Sequence, residues 1–260
     1  MQVTYVTIVA RVLLAGAAFI VVAQTQIVAA AEFTAQQRNE IVEILREALK
    51  SDPSILREAV EALQSNEAEH QADAARAVIA ANHDALFGQP DPAGGSAQAD
   101  VTIVEFLDPR CPYCRQVAPG LAMLRRNDPG IRLIYKDMPI LGPPSVLASR
   151  ALLAADRQGG YEKLLAAVLG GPPDITEDSL RAQAQQQGLD WPRLQKDMAD
   201  PAIQRRLEAN MQLAKTLGIE GTPAFVVGDR LVAGSDMAEL QGAIAVVRAA
   251  RKASGGAGRQ

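Results

Sequence analysis

The chain contains 260 residues, of which 48% are hydrophobic and 22% carry a charge, a balance typical of a soluble globular protein with one large or two modest domains. The net charge is −4 and the sequence has no run of Lys or Arg, so the composition argues against nucleic acid as a partner.

Residues 1–31 have the layout of a secretory signal peptide. Arg11 is the only charged residue in this stretch, an apolar run extends from Val12 to Val22, and small residues end at Ala31. An apolar core followed by an A-x-A site is typical of a cleaved export signal, so we predict cleavage after Ala31 and a periplasmic protein. An uncleaved membrane anchor is the alternative, although the apolar run is short for a span of about 20 residues.

The segment 32–87 is predicted to be helical. Its apolar residues recur at spacings of three and four from Ile41 to Leu49, and Asp52-Pro53 ends one helix and begins the next. Two helices with a single apolar face cannot bury a core of their own. The residues therefore predict either packing on the downstream domain or self-association, and they leave both open.

Residues 88–100 are predicted to form a linker, because they are rich in Gly, Pro, Ser and Asp and show no periodicity. A domain is predicted over 101–252 and a disordered tail over 253–260. The predicted order in the domain is strand Val101–Phe106, helix Val117–Arg126, strand Ile131–Lys136, several helices over 145–217, strands Ala224–Val227 and Arg230–Ala233, and a final helix capped by Asp236.

Cys111 and Cys114 are the only cysteines, and they form a CxxC motif between the first strand and the first helix of this domain. That context is typical of a thioredoxin-like redox motif. A helix N-terminus stabilises a thiolate, so Cys111 is the predicted nucleophile and Cys114, one turn deeper, the predicted resolving thiol. Pro112 and Tyr113 are predicted to tune the reaction and to contact the substrate.

Other interpretations of the motif differ in what they require. An inert disulfide between Cys111 and Cys114 would close a very small loop and contribute little stability. A zinc site needs four ligands, and the only histidines, His70 and His83, lie in the predicted N-terminal helices. A Cu(I) site formed by the two thiolates stays an alternative, because soft ligands suit Cu(I). No other metal and no cofactor is predicted.

Two further features lie near the motif in the predicted fold. Glu105 interrupts the apolar strand six residues before Cys111, and a carboxyl group buried there would have a raised pKa and could accept the proton of Cys114. A strand that ends facing solvent at Glu105 is the alternative. Thr222-Pro223 precedes the third strand, where a cis proline would leave the backbone of Thr222 free to pair with an extended substrate beside Cys111.

Glu105, Cys111-Pro112-Tyr113-Cys114, the helical insertion and Thr222-Pro223 together resemble the DsbA-like branch of the thioredoxin superfamily, over about residues 99–250. The resemblance implies an α/β thioredoxin fold with a helical insertion, preceded by an all-α N-terminal segment. It also implies that Cys111 is the nucleophile and that Thr222 contacts the substrate. Asp108-Pro109-Arg110 departs from the pattern, because many relatives carry aromatic residues there.

Residues Phe33–Leu63, with the break at Asp52-Pro53, resemble the N-terminal domain of the ScsC (suppressor of copper sensitivity protein C) group. Several proteins of that group are trimers through this segment and some are disulfide isomerases. The resemblance implies a homotrimeric periplasmic isomerase that acts on exported cysteine-containing proteins and has a membrane redox partner. The alternatives are a DsbA-like dithiol oxidase, a Cu(I)-handling protein that confers copper resistance, and a module that binds unfolded exported clients.

Overall fold

The computed structural model describes residues 33–256, with side chains to residue 253. The chain divides into two compact units, Met1–Leu63 and Gln64–Gln260. The predicted signal peptide and the last four residues of the predicted tail lie outside the described residues. Within the described part of the chain, no helix is both long enough and apolar enough to cross a membrane.

The described part of the first unit, residues 33–63, is mostly helical, as its sequence predicts. Helix α1 (Ala35–Ser51) begins with a capping box, in which Thr34 Oγ1 accepts from Gln37 N at 3.2 Å and Gln37 Oε1 accepts from Thr34 N at 2.9 Å. Helix α2 (Ser54–Ala81) begins in this unit and continues into the second, and Asp52 accepts from the Ser54 amide at 3.0 Å. No residue of α1 is buried, so its apolar side chains face solvent.

The second unit contains a five-stranded sheet with the order β1-β3-β2-β4-β5. Strands β2 and β3 are parallel, whereas β1 pairs antiparallel with β3, and β4 pairs antiparallel with both β2 and β5. The strands are β1 (Ala93–Gly94), β2 (Val101–Leu107), β3 (Ile131–Asp137), β4 (Ala224–Val227) and β5 (Arg230–Ala233). The helices after α2 are α3 (Pro112–Asn127), α4 (Pro143–Asp156), α5 (Tyr161–Gly170), α6 (Glu177–Gln186), α7 (Trp191–Met198), α8 (Pro201–Thr216) and α9 (Met237–Gly256).

The two faces of the sheet pack against different apolar clusters, because side chains alternate along each strand. On one face, Ile103, Leu133 and Phe225 pack with α3, α9 and the helical insertion α4–α7. On the other face, Phe106 and Val226 pack with α8, the end of α2 and the turn that follows it. Strand β2 is buried on both faces, and this explains why its residues are apolar except Thr102 and Glu105. The predicted thioredoxin fold with a helical insertion is confirmed.

Residues 88–100 differ from the irregular linker that their composition predicts. The segment contributes β1 to the sheet, and the Asp91 carboxylate binds two cations, the buried Lys136 ammonium and the Arg206 guanidinium, the latter at 2.6 Å. Lys136 Nζ also donates to Ala85 O at 2.7 Å. These partners are 45 and 115 residues away from Asp91 in sequence, so no local pattern could reveal them.

Candidate active site

The two cysteines lie at the start of α3, where the sequence predicts them. Cys111 is the N-cap residue, in extended backbone conformation, and Pro112 occupies the first turn. The Cys111 side chain is 5% exposed, and Cys114 is fully buried. Cys111 thus precedes the unpaired N–H groups of the first turn of α3, although its side chain caps none of them, and Cys114 follows one turn further along the helix.

Cys111 also meets the predicted Thr222-Pro223 dipeptide. The peptide bond between Thr222 and Pro223 is cis, and Cys111 Sγ donates to Thr222 O at 3.0 Å. These two residues are 111 positions apart in sequence. The start of α3 and the loop before β4 thus form one surface around the thiol.

The surface beside Cys111 is apolar and accessible. The Tyr113 side chain is 60% exposed, and Ile140 and Leu141, in the loop after β3, are 37% and 42% exposed. Arg110 Nη1 donates to Leu141 O at 2.7 Å and holds this loop next to the CxxC motif. An extended polypeptide could contact these side chains while its own thiol or disulfide reaches Cys111.

The environment of Cys114 strongly disfavours its thiolate. Burial raises the pKa of Cys114, and the backbone N–H of Asp108 acts in the opposite direction. The charges of Cys111 and Glu105 raise the pKa of Cys114 further, whereas the Thr222 hydroxyl lowers it. When Cys111 enters a mixed disulfide it loses its charge, so the Cys114 thiolate becomes easier to form at the step that uses it.

Glu105 lies in the middle of β2 and is only 3% exposed, so the strand does not end facing solvent at this residue. Burial, followed by the charge of Asp137, raises the pKa of Glu105 to about 8. Glu105 lines a cavity of 260 Å³ with Tyr135 and Glu162. A carboxyl group with this pKa exchanges protons near neutral pH, which is what a proton acceptor for a buried thiol requires.

The buried Glu105 predicts a specific dependence of stability on pH. The native pKa of Glu105 is about 8, above its ordinary value of 4.5. The stability that the protonated carboxyl group contributes is therefore fully present below pH 4.5 and is lost as the pH rises through 8. Glu105→Gln cannot ionise, so we expect its melting temperature to exceed that of the wild type by about 5 °C at alkaline pH and to match it in acid. Thermal unfolding of the reduced proteins, followed by circular dichroism across this range, measures the difference.

Glu220→Gln is the matched control, because Glu220 is an exposed carboxyl group of the same unit. Its curve should parallel that of the wild type. If the melting temperature of Glu105→Gln fell with rising pH as steeply as that of the wild type, a buried, titrating Glu105 would be contradicted.

Sequence analysis missed Asp108, which organises the loop before the CxxC motif. This carboxylate is fully buried and accepts from three backbone amides, those of Arg110 at 2.7 Å, Ile140 at 2.8 Å and Leu141 at 2.9 Å. It therefore joins the motif loop to the loop after β3. The Asp-Pro pair predicts a turn, but the two amides beyond β3 lie more than 30 residues away and leave no sequence signal.

Arg115 was also missed, and it ties α3 to the helical insertion. Its guanidinium donates to Leu169 O at 3.0 Å and Gly171 O at 2.7 Å, both at the end of α5. Among residues 33–256, no group of three or more His, Cys, Asp or Glu side chains is placed to hold a metal ion. Cys111 and Cys114 are thus a dithiol without a third ligand of these types in the described part of the chain.

A five-stranded sheet with a dithiol at the start of α3, a cis proline beside it and an inserted helical layer defines a thioredoxin-fold protein of the DsbA type. The family model for the "DSBA-like thioredoxin domain" matches residues 102–245. The chain therefore belongs to this family of thiol–disulfide oxidoreductases. A second description, "Copper resistance protein ScsC N-terminal domain", matches residues 37–70. The predicted resemblance to ScsC is confirmed.

Solved structures agree with this assignment. A thioredoxin-like oxidoreductase from Silicibacter pomeroyi is 42% identical, with a TM-score of 0.62 over 64% of this chain and 98% of that one. ScsC of Proteus mirabilis is 29% identical, with a TM-score of 0.61 over 84% and 98% of the two chains. A periplasmic thioredoxin-like protein from Salmonella enterica is 30% identical, with a TM-score of 0.58 over 64% and 95%.

The chain spans about a fifth of the length of the first curated relatives it matches. These are Na⁺/H⁺ antiporters, and the match to the protein of Salinispora tropica is 28% identical over 138 residues, or 52% of this chain and 21% of the antiporter.

Proposed function

We propose that this chain catalyses thiol–disulfide exchange in exported proteins, with Cys111 as the nucleophile and Cys114 as the resolving thiol. The observation that carries the proposal is the position of Cys111 Sγ, at a helix N-terminus and 3.0 Å from Thr222 O, with Cys114 buried behind it. A nucleophilic thiol needs stabilisation of its thiolate and a surface that presents the substrate disulfide. The first turn of α3 supplies the former, and the loop at Thr222-Pro223 supplies the latter.

The reaction uses the dithiol in two balanced steps. The Cys111 thiolate attacks one sulfur of a client disulfide, a Cys111–client disulfide forms, and the other client sulfur leaves as a thiolate. Cys114 then gives its proton to the Glu105 carboxylate and attacks Cys111 Sγ, and the second client sulfur leaves as a thiolate. The client is reduced and the Cys111–Cys114 pair is oxidised; the reverse sequence oxidises a client dithiol.

The substrate surface includes Pro112, Tyr113, Thr222 and Pro223. Thr222 O already accepts a hydrogen bond from Cys111, and the exposed Tyr113 ring lies on the side of the motif that faces solvent. A client segment in extended conformation would pair with the backbone at Thr222 and place apolar side chains against Tyr113. Backbone pairing of this kind is independent of client sequence and suits an enzyme with many clients.

We further propose that the chain self-associates through its first unit, as a homotrimer, and that this assembly makes it an isomerase. Monomeric proteins rarely expose this many large apolar side chains on two successive helices. We name this set of side chains the N-terminal apolar face; it comprises Ile41, Val42, Ile44, Leu45, Leu49, Ile55, Leu56, Val60 and Leu63, which are all at least 38% exposed. A second and third copy of the chain would cover these side chains with identical ones.

The proposed location is the periplasm. Residues 1–31 read as an export signal, and one relative of this chain is a periplasmic thioredoxin-like protein. An exported dithiol meets an oxidising compartment, where cysteine-containing proteins form their disulfides. A membrane redox partner that resets the Cys111–Cys114 pair completes the cycle.

The test is reactivation of a scrambled protein with several disulfides in a glutathione buffer, by the chain that begins at Glu32. We expect reactivation well above that of the buffer alone, because an isomerase must attack wrong disulfides and release the client again. Fast oxidation of a reduced client without reactivation of the scrambled one would instead assign a dithiol oxidase. Activity that survives alkylation of both cysteines would contradict thiol–disulfide exchange altogether.

A further inference from the structure

A second buried carboxyl group, Asp137, lies close to Glu105. Parallel pairing aligns Glu105 with Tyr135 and Leu107 with Asp137, and alternation along β3 places Asp137 on the same face as Tyr135. Asp137 is therefore the diagonal neighbour of Glu105 across two adjacent parallel strands, on the same face of the sheet. Both carboxyl groups face the side of the sheet that carries α3 and the cysteines.

The surroundings of Asp137 act on its pKa in opposite directions, because burial favours the protonated form and hydrogen bonds favour the ionised form. Its side chain is fully buried, and Asp137 Oδ2 accepts from the Tyr161 hydroxyl at 3.0 Å. Within the described part of the chain, Asp137 Oδ1 has no hydrogen-bond partner, whereas the Ser149 side chain, like the Tyr161 hydroxyl, lowers the pKa of Asp137 against the effect of burial. An ionised carboxylate with an unpaired buried oxygen is unfavourable, whereas a protonated one can donate from that oxygen.

The titrating groups link into one set. The Tyr161 ring lies against the Tyr135 ring, with the two centroids 5.0 Å apart. Burial raises the pKa of Asp137, which accepts from the Tyr161 hydroxyl, to about 7. The Lys136 ammonium binds Asp91, and Arg125 binds Glu162 and Tyr135, so neither cation pairs with Asp137. The titratable and charged groups facing the two carboxyl groups are Cys114, Tyr135 and Tyr161 from the core, Asp108 and Asp91 from the loops, and Arg125 and Glu162 in the cavity.

We propose that Asp137 is a positioning residue for proton transfer: Asp137 and Glu105 titrate as one pair, and the charge of Asp137 sets the pH at which Glu105 accepts the proton of Cys114. The inference rests on the proposed function and deepens it. Repulsion between two carboxylates in a buried site keeps one proton on the pair near neutral pH. The hydrogen bond from the Tyr161 hydroxyl favours the ionised form of Asp137 and so determines how readily Asp137 binds the shared proton.

The experiment separates the two steps of the dithiol by using 5,5′-dithiobis(2-nitrobenzoate) as the disulfide substrate. The Cys111 thiolate displaces one thionitrobenzoate and becomes a mixed disulfide. Cys114 then passes its proton to Glu105 and displaces the second thionitrobenzoate, so the second release reports the proton transfer. Stopped-flow absorbance at reagent concentrations that make the first release fast gives the second rate constant as a function of pH.

The midpoint is the pH at which the second rate constant reaches half of its maximum. We expect Asp137→Asn to move this midpoint to lower pH by about one unit, because Glu105 then ionises without a neighbouring charge. Tyr161→Phe should move it in the same direction by less, because Asp137 then holds its proton to higher pH. In a Glu105→Gln background, Asp137→Asn should produce no further shift. Asp128→Asn, which removes one negative charge at the opposite end of β3, should leave the midpoint unchanged.

An unchanged midpoint in both Asp137→Asn and Tyr161→Phe would overturn the inference, as would an equal shift in the Glu105→Gln background. If Asp137→Asn does not fold, Tyr161→Phe alone decides, since it removes only one hydroxyl. A wild-type protein that releases one thionitrobenzoate and never the second would overturn the proposed function together with the inference. Two phases with the midpoint unmoved would leave the function intact and reject only the role of Asp137.

Discussion

Cys114→Ser is expected to stop the reaction at the mixed disulfide and to accumulate client proteins covalently bound to Cys111. Cys111 lies at the helix N-terminus beside the exposed Tyr113 side chain, and this substitution leaves its thiol in place to attack. The fully buried residue 114 can no longer displace the client, and the Cys111–client bond persists. Non-reducing electrophoresis of periplasmic extracts should show adducts that disappear on reduction, and reactivation of a scrambled protein should fall to the rate of buffer alone.

Cys111→Ser is the paired variant, and it should lose the same activity without forming adducts, because Cys114 is shielded from clients. The two phenotypes differ only if the cysteines have the two roles that we propose. Adducts in Cys111→Ser, or equal numbers in both variants, would contradict the assignment of Cys111 as the attacking thiol.

The second large effect is expected from charge on the N-terminal apolar face. Ile44→Glu combined with Leu56→Glu places carboxylates on two side chains that are 68% and 58% exposed in one chain and would be covered in a trimer. Each apolar side chain of this size contributes about 1.5–3 kcal/mol when it is fully buried, and a charge there opposes assembly. We expect the mass by light scattering to fall from three chains to one, and reactivation of a scrambled protein to be lost.

The matched control is Asn39→Glu with Gln64→Glu, which adds the same two charges at polar, exposed positions of the same helices. It should keep both the assembly and the reactivation. Release of thionitrobenzoate by the dithiol should be equal in all these proteins, because that reaction needs only one site. A monomeric wild type at micromolar concentration would reject self-association, and a monomeric double variant with full reactivation would separate isomerase activity from assembly.

These substitutions test the role of assembly more sharply than removal of all residues before Asp100 would. A chain starting there would lose β1, the buried Leu86 and the Asp91 carboxylate that binds Lys136. Breaking a buried ion pair by removing one partner destabilises by about 3–5 kcal/mol. Lost activity in such a fragment would therefore report unfolding as well as lost assembly.

The local sequence determined several features of this protein because their causes lie within a few residues. The mostly apolar sequence of β2, the Pro112 that fits the first turn of α3 and the Asp236 that caps α9 each depend on neighbouring positions. The CxxC motif at a helix start indicated the chemistry for the same reason. Whether Glu105 is buried or faces solvent at a strand end stayed open in the sequence, and the structure shows that it is buried.

Only the tertiary structure decided which distant groups meet at the site. Asp108 binds amides beyond β3, Asp137 accepts from Tyr161 24 residues later, and Asp91 binds Arg206 115 residues later. Hydrogen bonds and ion pairs between residues so far apart impose no periodicity on the sequence, and a buried acid looks the same as a surface acid until its neighbours are known. For this protein, the sequence predicted the dithiol and Glu105, whereas Asp108 and Asp137 could be found only from the fold.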